Sequence, residues 1–131
     1  MQQLSTLPKQ AQTSREDEVF LEDLSRRSFT YFIEQGHPET GLVLDRAHTG
    51  GTTNGERIAS TAATGFGLTA LCIGAERGWI QPAAARERVR KTLRFLAAHV
   101  PQEHGWMPHF IDQVSGERRW QSEYSSIDTA L

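Results

Sequence analysis

Apolar residues recur at helical spacing from Val19 onward. Val19, Phe20, Leu24, Tyr31 and Phe32 share one side, while Glu22, Arg26, Arg27 and Glu34 fall largely elsewhere. The pattern predicts an amphipathic helix opened by a capping box, with Thr13 as the cap and Glu16 reaching back to it. Gly36 is expected to close it in the left-handed conformation, and Pro38 cannot continue it.

A second helix is expected from Ile58 to Arg77, closed by Gly78. It differs in kind from the first. Ala59, Ala62, Ala63, Gly65, Gly67, Ala70, Gly74 and Ala75 put small residues on every side, between Phe66, Leu68, Leu71 and Ile73. A helix without a charged face is normally buried all round. Each interior glycine costs about 1 kcal/mol relative to alanine, so close helix contact is the expected compensation. Pro82 suits the first turn of a third helix, in which Val89, Leu93, Leu96 and Val100 oppose Arg86, Glu87, Arg90, Lys91 and Arg94.

Long loops cover 37–57 and 102–125, and a fourth helix starts at Ser126 or Ile127. The halves echo each other: helix, a loop opening with Gly41-Leu42 or Gly105-Trp106, then a helix opening with Ile58 or Ile127. This alternation, with a period of roughly 65 residues, describes stacked αα-hairpins. The expectation is an all-α domain over 13–131, preceded by a disordered lead-in over 1–12 and truncated in its fourth helix. The uniformly apolar second helix then needs cover. Further protein beyond Leu131 would supply it, or self-association in a homo-oligomer.

Composition narrows the classes. Apolar residues make up 37% and charged residues 23%, as in a folded globular chain. A net charge of -2 removes the field that a nucleic-acid binder uses, and no basic run offers a membrane patch. The longest uncharged run, from Ile58 to Ala75, carries Ser60, Thr61, Thr64, Thr69 and glycines, so it reads as a buried helix rather than a membrane span. Cys72 cannot form an internal disulfide and reads as a small buried hydrophobe. The first residues lack a signal peptide's apolar core, which implies a cytoplasmic location for the sequence as it stands; a different N-terminus would leave the periplasm open. The histidines show no metal-site spacing, and Gly50-Gly51 lacks a phosphate-loop lysine. No metal and no cofactor is expected.

The chemistry-bearing residues concentrate in the two long loops. In αα toroids these gather at one rim, around a central cleft. Glu123 and Asp128 are the pair to weigh first, because glycoside hydrolysis uses one protonated and one ionised carboxyl group. Helix capping by Asp128 and plain surface exposure of Glu123 explain the same residues. Trp106, Trp120 and Tyr124 offer aromatic faces that stack on sugar rings. Asp45-Arg46 is either a structural ion pair or a substrate clamp, and His109 either an acid–base or a hydrogen-bonded packing residue.

Several segments carry a resemblance: Phe20-Leu-Glu-Asp-Leu, Thr30-Tyr-Phe, His37-Pro-Glu-Thr-Gly-Leu-Val-Leu-Asp-Arg46, the stretch from Ile58 to Trp79, Thr92-Leu-Arg-Phe-Leu96, His104-Gly-Trp with His109-Phe, and Ser122-Glu-Tyr-Ser-Ser-Ile-Asp-Thr-Ala-Leu131. In this order, over about residues 18 to 131, they resemble the start of the bacterial glucoamylase-like domain family. The resemblance implies an (α/α)6 barrel and a glycoside hydrolase or transglycosylase acting on a β-glucan, with β-1,2 linkage in the family's endo-glucanases and cyclic glucan synthases. It places Asp45, Arg46, Glu123 and Asp128 at the cleft, Glu123 and Asp128 as catalytic candidates and Asp45 and Arg46 against sugar hydroxyls. It also implies that this chain supplies two hairpins of six. A non-catalytic helical carbohydrate-binding module and a remnant without a stable fold stand as alternatives.

Overall fold

The computed structural model describes residues 13–50, 55 and 57–131. The lead-in over 1–12 lies outside the described residues, as does Gly51 of the first loop. The elements, in order, are α1 (Arg15–Glu34), β1 (Ile58–Ser60), α2 (Thr61–Glu76), α3 (Pro82–His99), β2 (Met107–Pro108), β3 (Phe110–Asp112), β4 (Tyr124–Ser125) and α4 (Ser126–Ala130). The helical hairpins are as expected, but the long loops are not structureless. The second supplies β2, β3 and β4, and the first makes bridges at Val43 and Leu44.

The first helix starts one residue later than Thr13 and Glu16 suggest. Ser14 Oγ accepts the Asp17 N–H at 3.1 Å, and the Asp17 carboxylate accepts the Ser14 N–H at 3.0 Å. This cap puts Glu16, Asp17 and Glu18 in the first turn, where the helix dipole favours them. The Ser14 hydroxyl, which donates to the Asp17 carboxylate at 2.8 Å, and then the Ser14 N–H hold the Asp17 carboxyl below its usual range. At the other end Gln35 caps in the right-handed region, and Gly36 does not take the left-handed closing position. It goes straight into a bridge with Val43 instead. Helix α2 does close as expected: Gly78 has φ 71°, and the Trp79 N–H reaches back to the Gly74 carbonyl at 2.8 Å.

The second helix loses its first expected turn to β1, because 58–60 is claimed from both sides. Ile58, Ala59 and Ser60 pair antiparallel with Asp112, Ile111 and Phe110, and Ala59 also bridges to Leu44. Helix α2 then begins at Thr61, with the Ser60 hydroxyl accepting the Ala63 N–H. It packs against α1, α3 and α4. The close contact expected of its glycines is present, Gly74 lying against the Phe29 ring and Gly67 against Val43.

Burial all round is not observed. Thr61, Thr64, Gly65, Gly67, Ala70, Leu71 and Gly74 are buried, whereas Phe66, Ile73 and Cys72 are exposed. Three neighbours cover only part of the circumference, so Cys72 is not the buried hydrophobe its surroundings suggest. Val19, Phe20 and Leu24 of α1 and Leu93 of α3 are likewise exposed; α3 turns Ala85, Thr92 and Leu96 inward instead. Among the described residues no helix is long and apolar enough to cross a membrane.

The core joins the strands to α3: Leu42, Ala59, Leu96, Val100 and Ile111, with Phe95 and Met107 packed against it. Gly41 lets Leu42 reach this core. Its φ is 74°, and a Cβ there would overlap the Thr92 hydroxyl. Gly41→Ala therefore combines a left-handed alanine with overpacking, and is expected to destabilise by about 2–4 kcal/mol. Urea unfolding would check this; an unchanged midpoint would show that the turn does not depend on the glycine.

Candidate functional site

Between β2 and β3 the chain changes partners. Met107 and Pro108 pair with Ser125 and Tyr124 of β4, while Phe110 to Asp112 pair with β1. His109 is the bend between the two. Its N–H donates to the Glu123 carbonyl at 2.9 Å, and its carbonyl accepts the first N–H of α2, that of Thr61, at 3.0 Å. Thr61 adds a second tie, its hydroxyl donating to the Pro108 carbonyl at 2.7 Å. The backbone of His109 is thus fixed by the start of α2 on one side and by the approach to β4 on the other.

The same crossing gathers three residues that lie apart in sequence. His109 Nδ1 is 3.1 Å from Glu123 Oε1 and 3.4 Å from Asp128 Oδ2. Ionised carboxylates offer only lone pairs, so a hydrogen on Nδ1 is what lets the imidazole meet both. The hydrogen bond from His109 holds the Glu123 carboxyl below its ordinary range, and backbone hydrogen bonding at Glu123 itself adds to this. The two acids differ in exposure. The Glu123 side chain is 69% exposed and that of Asp128 only 13%. Asp128 is anchored by its own backbone N–H, which donates to the Ser125 hydroxyl at 3.2 Å.

Aromatic rings surround this cluster. The Phe110 ring stacks on His109 with centroids 4.0 Å apart and planes 17° from parallel. Trp120 meets Phe110 edge-on at 5.3 Å and is itself exposed. Trp120 and Gln121 both have positive φ, 53° and 51°, and the Ser122 N–H closes back on the Arg119 carbonyl at 3.0 Å. Those are the features of a type I′ turn, which Asn-Gly fills with least strain. Each ordinary residue held there costs about 1–2 kcal/mol. Arg118 supports the turn, its guanidinium donating to the Ser122 and Gln121 carbonyls at 2.5 and 2.9 Å and lying 4.6 Å from the centre of the Tyr124 ring.

The remaining candidates stand differently. Asp45 and Arg46 form an ion pair with each other at 2.6 Å, and among the described residues no hydrogen bond or ion pair joins them to His109, Glu123 or Asp128. Asp45 leads out of the bridge at Leu44, whose carbonyl accepts the Tyr31 hydroxyl at 2.8 Å. Burial, and then the Asp45 charge, push the Tyr31 phenol up. Trp106 is exposed beside β2, its N–H donating to the Glu103 carbonyl at 2.9 Å. Asp112, another acid of this loop, has a structural task. Burial raises its carboxyl, but the N–H groups of Ser115 and Val114, with Arg57 and Arg119, bring it below the usual value.

Phe110, Arg118 and Ser122 escaped the sequence-based selection. The Ser122 hydroxyl accepts the Phe110 N–H at 3.0 Å, which fixes the residue under His109. The only sequence signal was adjacency, since Phe110 follows His109 directly and Ser122 precedes Glu123. Among the described residues no group of three His, Cys, Asp or Glu side chains is arranged to hold a metal ion.

No family model matches the chain. It is 33% identical, over 101 residues, to the exo β-1,2-glucooligosaccharide sophorohydrolase (non-reducing end) of Parabacteroides distasonis, a match covering 77% of this chain and 13% of that protein. Among solved structures it matches the endo-β-1,2-glucanase of Chitinophaga pinensis, in complex with sophorotriose and glucose, with a TM-score of 0.69 and 28% identity over 79% of this chain and 25% of that one. A glucoamylase-like protein of Bacteroides fragilis gives a TM-score of 0.76 and 26% identity, over 95% of this chain and 30% of the other. The chain therefore spans from 13% to 30% of the length of these three proteins. In sequence and in fold, the chain is similar to part of these glucoamylase-like proteins, whose (α/α)6 barrel its helical hairpins match in part.

Proposed function

We propose that this chain forms part of a glycoside hydrolase or transglycosylase acting on a β-glucan, with β-1,2-linked glucose as the substrate class. The observation that carries this is the meeting of Glu123 and Asp128 on one imidazole at an aromatic-lined rim. Its support in kind comes from two of the relatives, which are named for acting on β-1,2-glucans and of which one holds sophorotriose. The carboxylate oxygens share a single Nδ1 at 3.1 and 3.4 Å, which supports their acting together on one bound sugar. An inverting acid–base pair with water between its members stands roughly 6.5–9.5 Å apart. Glu123, held low by His109, is the ionised member and suits a base or nucleophile rather than a proton donor. Asp128 completes the catalytic pair. Trp106, Trp120 and Tyr124 supply sugar-stacking faces, His109 a polar contact, and the Asp45–Arg46 pair contacts to hydroxyls.

A second reading, a carbohydrate-binding unit without turnover, draws on the same lowering of Glu123. The hydrogen bond from His109 holds that carboxyl ionised, and bound glucan needs no proton donor. Incubating the chain with linear β-1,2-gluco-oligosaccharides, with calorimetry for binding and chromatography for products, separates the two. Product release that falls about 100-fold or more in Glu123→Gln and Asp128→Asn, with binding retained, is the expected result for the hydrolase. Binding without product in the unaltered chain establishes the binding unit, and neither binding nor product removes the glucan reading altogether.

The electrostatics make a separate prediction. Carbon-13 NMR titration should find the Glu123 carboxyl ionising below the ordinary glutamate range, and His109→Ala should move it upward. The sign follows from the lowered folded value: the Glu123–His109 hydrogen bond persists above the usual glutamate pKa and is lost as pH falls through the lowered one. A midpoint indifferent to His109→Ala would show that the hydrogen bond is not formed in solution.

A further inference from the structure

In a regular strand consecutive side chains point to opposite faces, so neighbouring rings do not meet. His109 and Phe110 break this rule because the chain bends between β2 and β3, and their rings lie parallel with centroids 4.0 Å apart. Phe110 itself is held twice. Its N–H donates to the Ser122 hydroxyl at 3.0 Å and its carbonyl accepts the Arg119 N–H at 2.9 Å. Trp120 then meets Phe110 edge-on at 5.3 Å, from a turn whose two central residues are both in the left-handed region. A Trp-Gln pair is a poor occupant of such a turn on stability grounds. Strain kept at a candidate site calls for a compensating task.

We propose that Phe110 and Trp120 are positioning residues: a column of rings, Trp120 on Phe110 on His109, that fixes the imidazole plane so that Nδ1 faces both Glu123 and Asp128. A hydrogen bond at Nδ1 alone restrains the ring loosely, because Glu123 is exposed and can follow it, and the stack holds the ring plane itself. The opposite edge, bearing Nε2, is thereby held in one direction as well. As a statement about glucan chemistry this rests on the proposed site. As a statement about His109 it stands on the ring geometry alone.

Imidazole nitrogen-15 shifts of the full chain, free of ligand at mildly alkaline pH, report the His109 tautomer directly. The unaltered chain should show the Nδ1–H form. Phe110→Leu should shift the ratio toward Nε2–H by about fivefold, the scale of one aromatic pair, and Phe110→Tyr, which keeps the ring, should retain the original ratio. Replacing Trp120-Gln121 by Asn-Gly tests the column from its other end and guards against a misfolded Phe110→Leu. That double variant should melt at a higher temperature, because the turn is relieved, and yet loosen the His109 tautomer. A merely structural role would move both in the same direction. If the relieved turn stabilises the chain and His109 keeps its tautomer, Trp120 does not position it. If Phe110→Leu also leaves it unchanged, the column has no such role. Turnover is not needed for this readout, so failure to process glucan would sink the functional proposal and leave this one standing.

Discussion

The antiparallel pairing of β1 with β3 is the constraint on which the rest depends. Ala59 and Ile111 face each other across it with no exposed surface, at the centre of the small core. The pairing joins two loops that are far apart in sequence, and it decides where α2 begins. It also brings the His109 carbonyl onto the first free N–H of that helix. Had Ile58 to Ser60 continued α2, this N–H would be satisfied within the helix, and nothing would tie His109 to the rim.

Polar side chains finish what the strands begin. The Thr40 hydroxyl donates to the Gln113 carbonyl at 2.7 Å, and the Gln113 amide donates to the Gln35 and Leu42 carbonyls at 2.8 and 3.0 Å. Thr64, on the buried face of α2, accepts the Val43 N–H at 3.1 Å. Irregular backbone can be buried only when its donors and acceptors find partners. These hydroxyls and the amide provide them, and no buried side-chain nitrogen or oxygen among the described residues lacks one. These hydrogen bonds tie the described parts of the loops around Thr40, Val43 and Gln113 to one another and to the helices.

Much of this was legible in the sequence, for physical reasons that differ by element. Gly78 and Pro82 announce the end of α2 and the start of α3, because few conformations suit either residue. The strands were not legible. Two- and three-residue pairings have no periodicity to detect, and Ile58-Ala-Ser reads equally well as the first turn of an apolar helix. The cap moved by one residue because Thr13/Glu16 and Ser14/Asp17 both satisfy the capping-box spacing. At the rim, residue type singled out Glu123, Asp128 and His109. Their meeting depends on a bend and on a long-range pairing, which spacing cannot express. Phe110 was passed over for the same reason, since an aromatic next to a histidine normally points away from it.

The unequal exposure of the two acids explains how one imidazole can serve both. Asp128 is nearly covered, anchored by the Ser125 hydroxyl, and lies within the first turn of α4, where the backbone dipole favours a negative charge. Glu123 is mostly exposed and is free to meet a ligand. A single Nδ1–H lies within reach of both, so the histidine couples a fixed carboxylate to an accessible one. Removing Asp128 would leave Glu123 as the only carboxylate on Nδ1, the group that faces substrate in the proposed site. In the proposed site the buried acid therefore has a second task beside its catalytic one, steadying the imidazole while the exposed acid meets substrate.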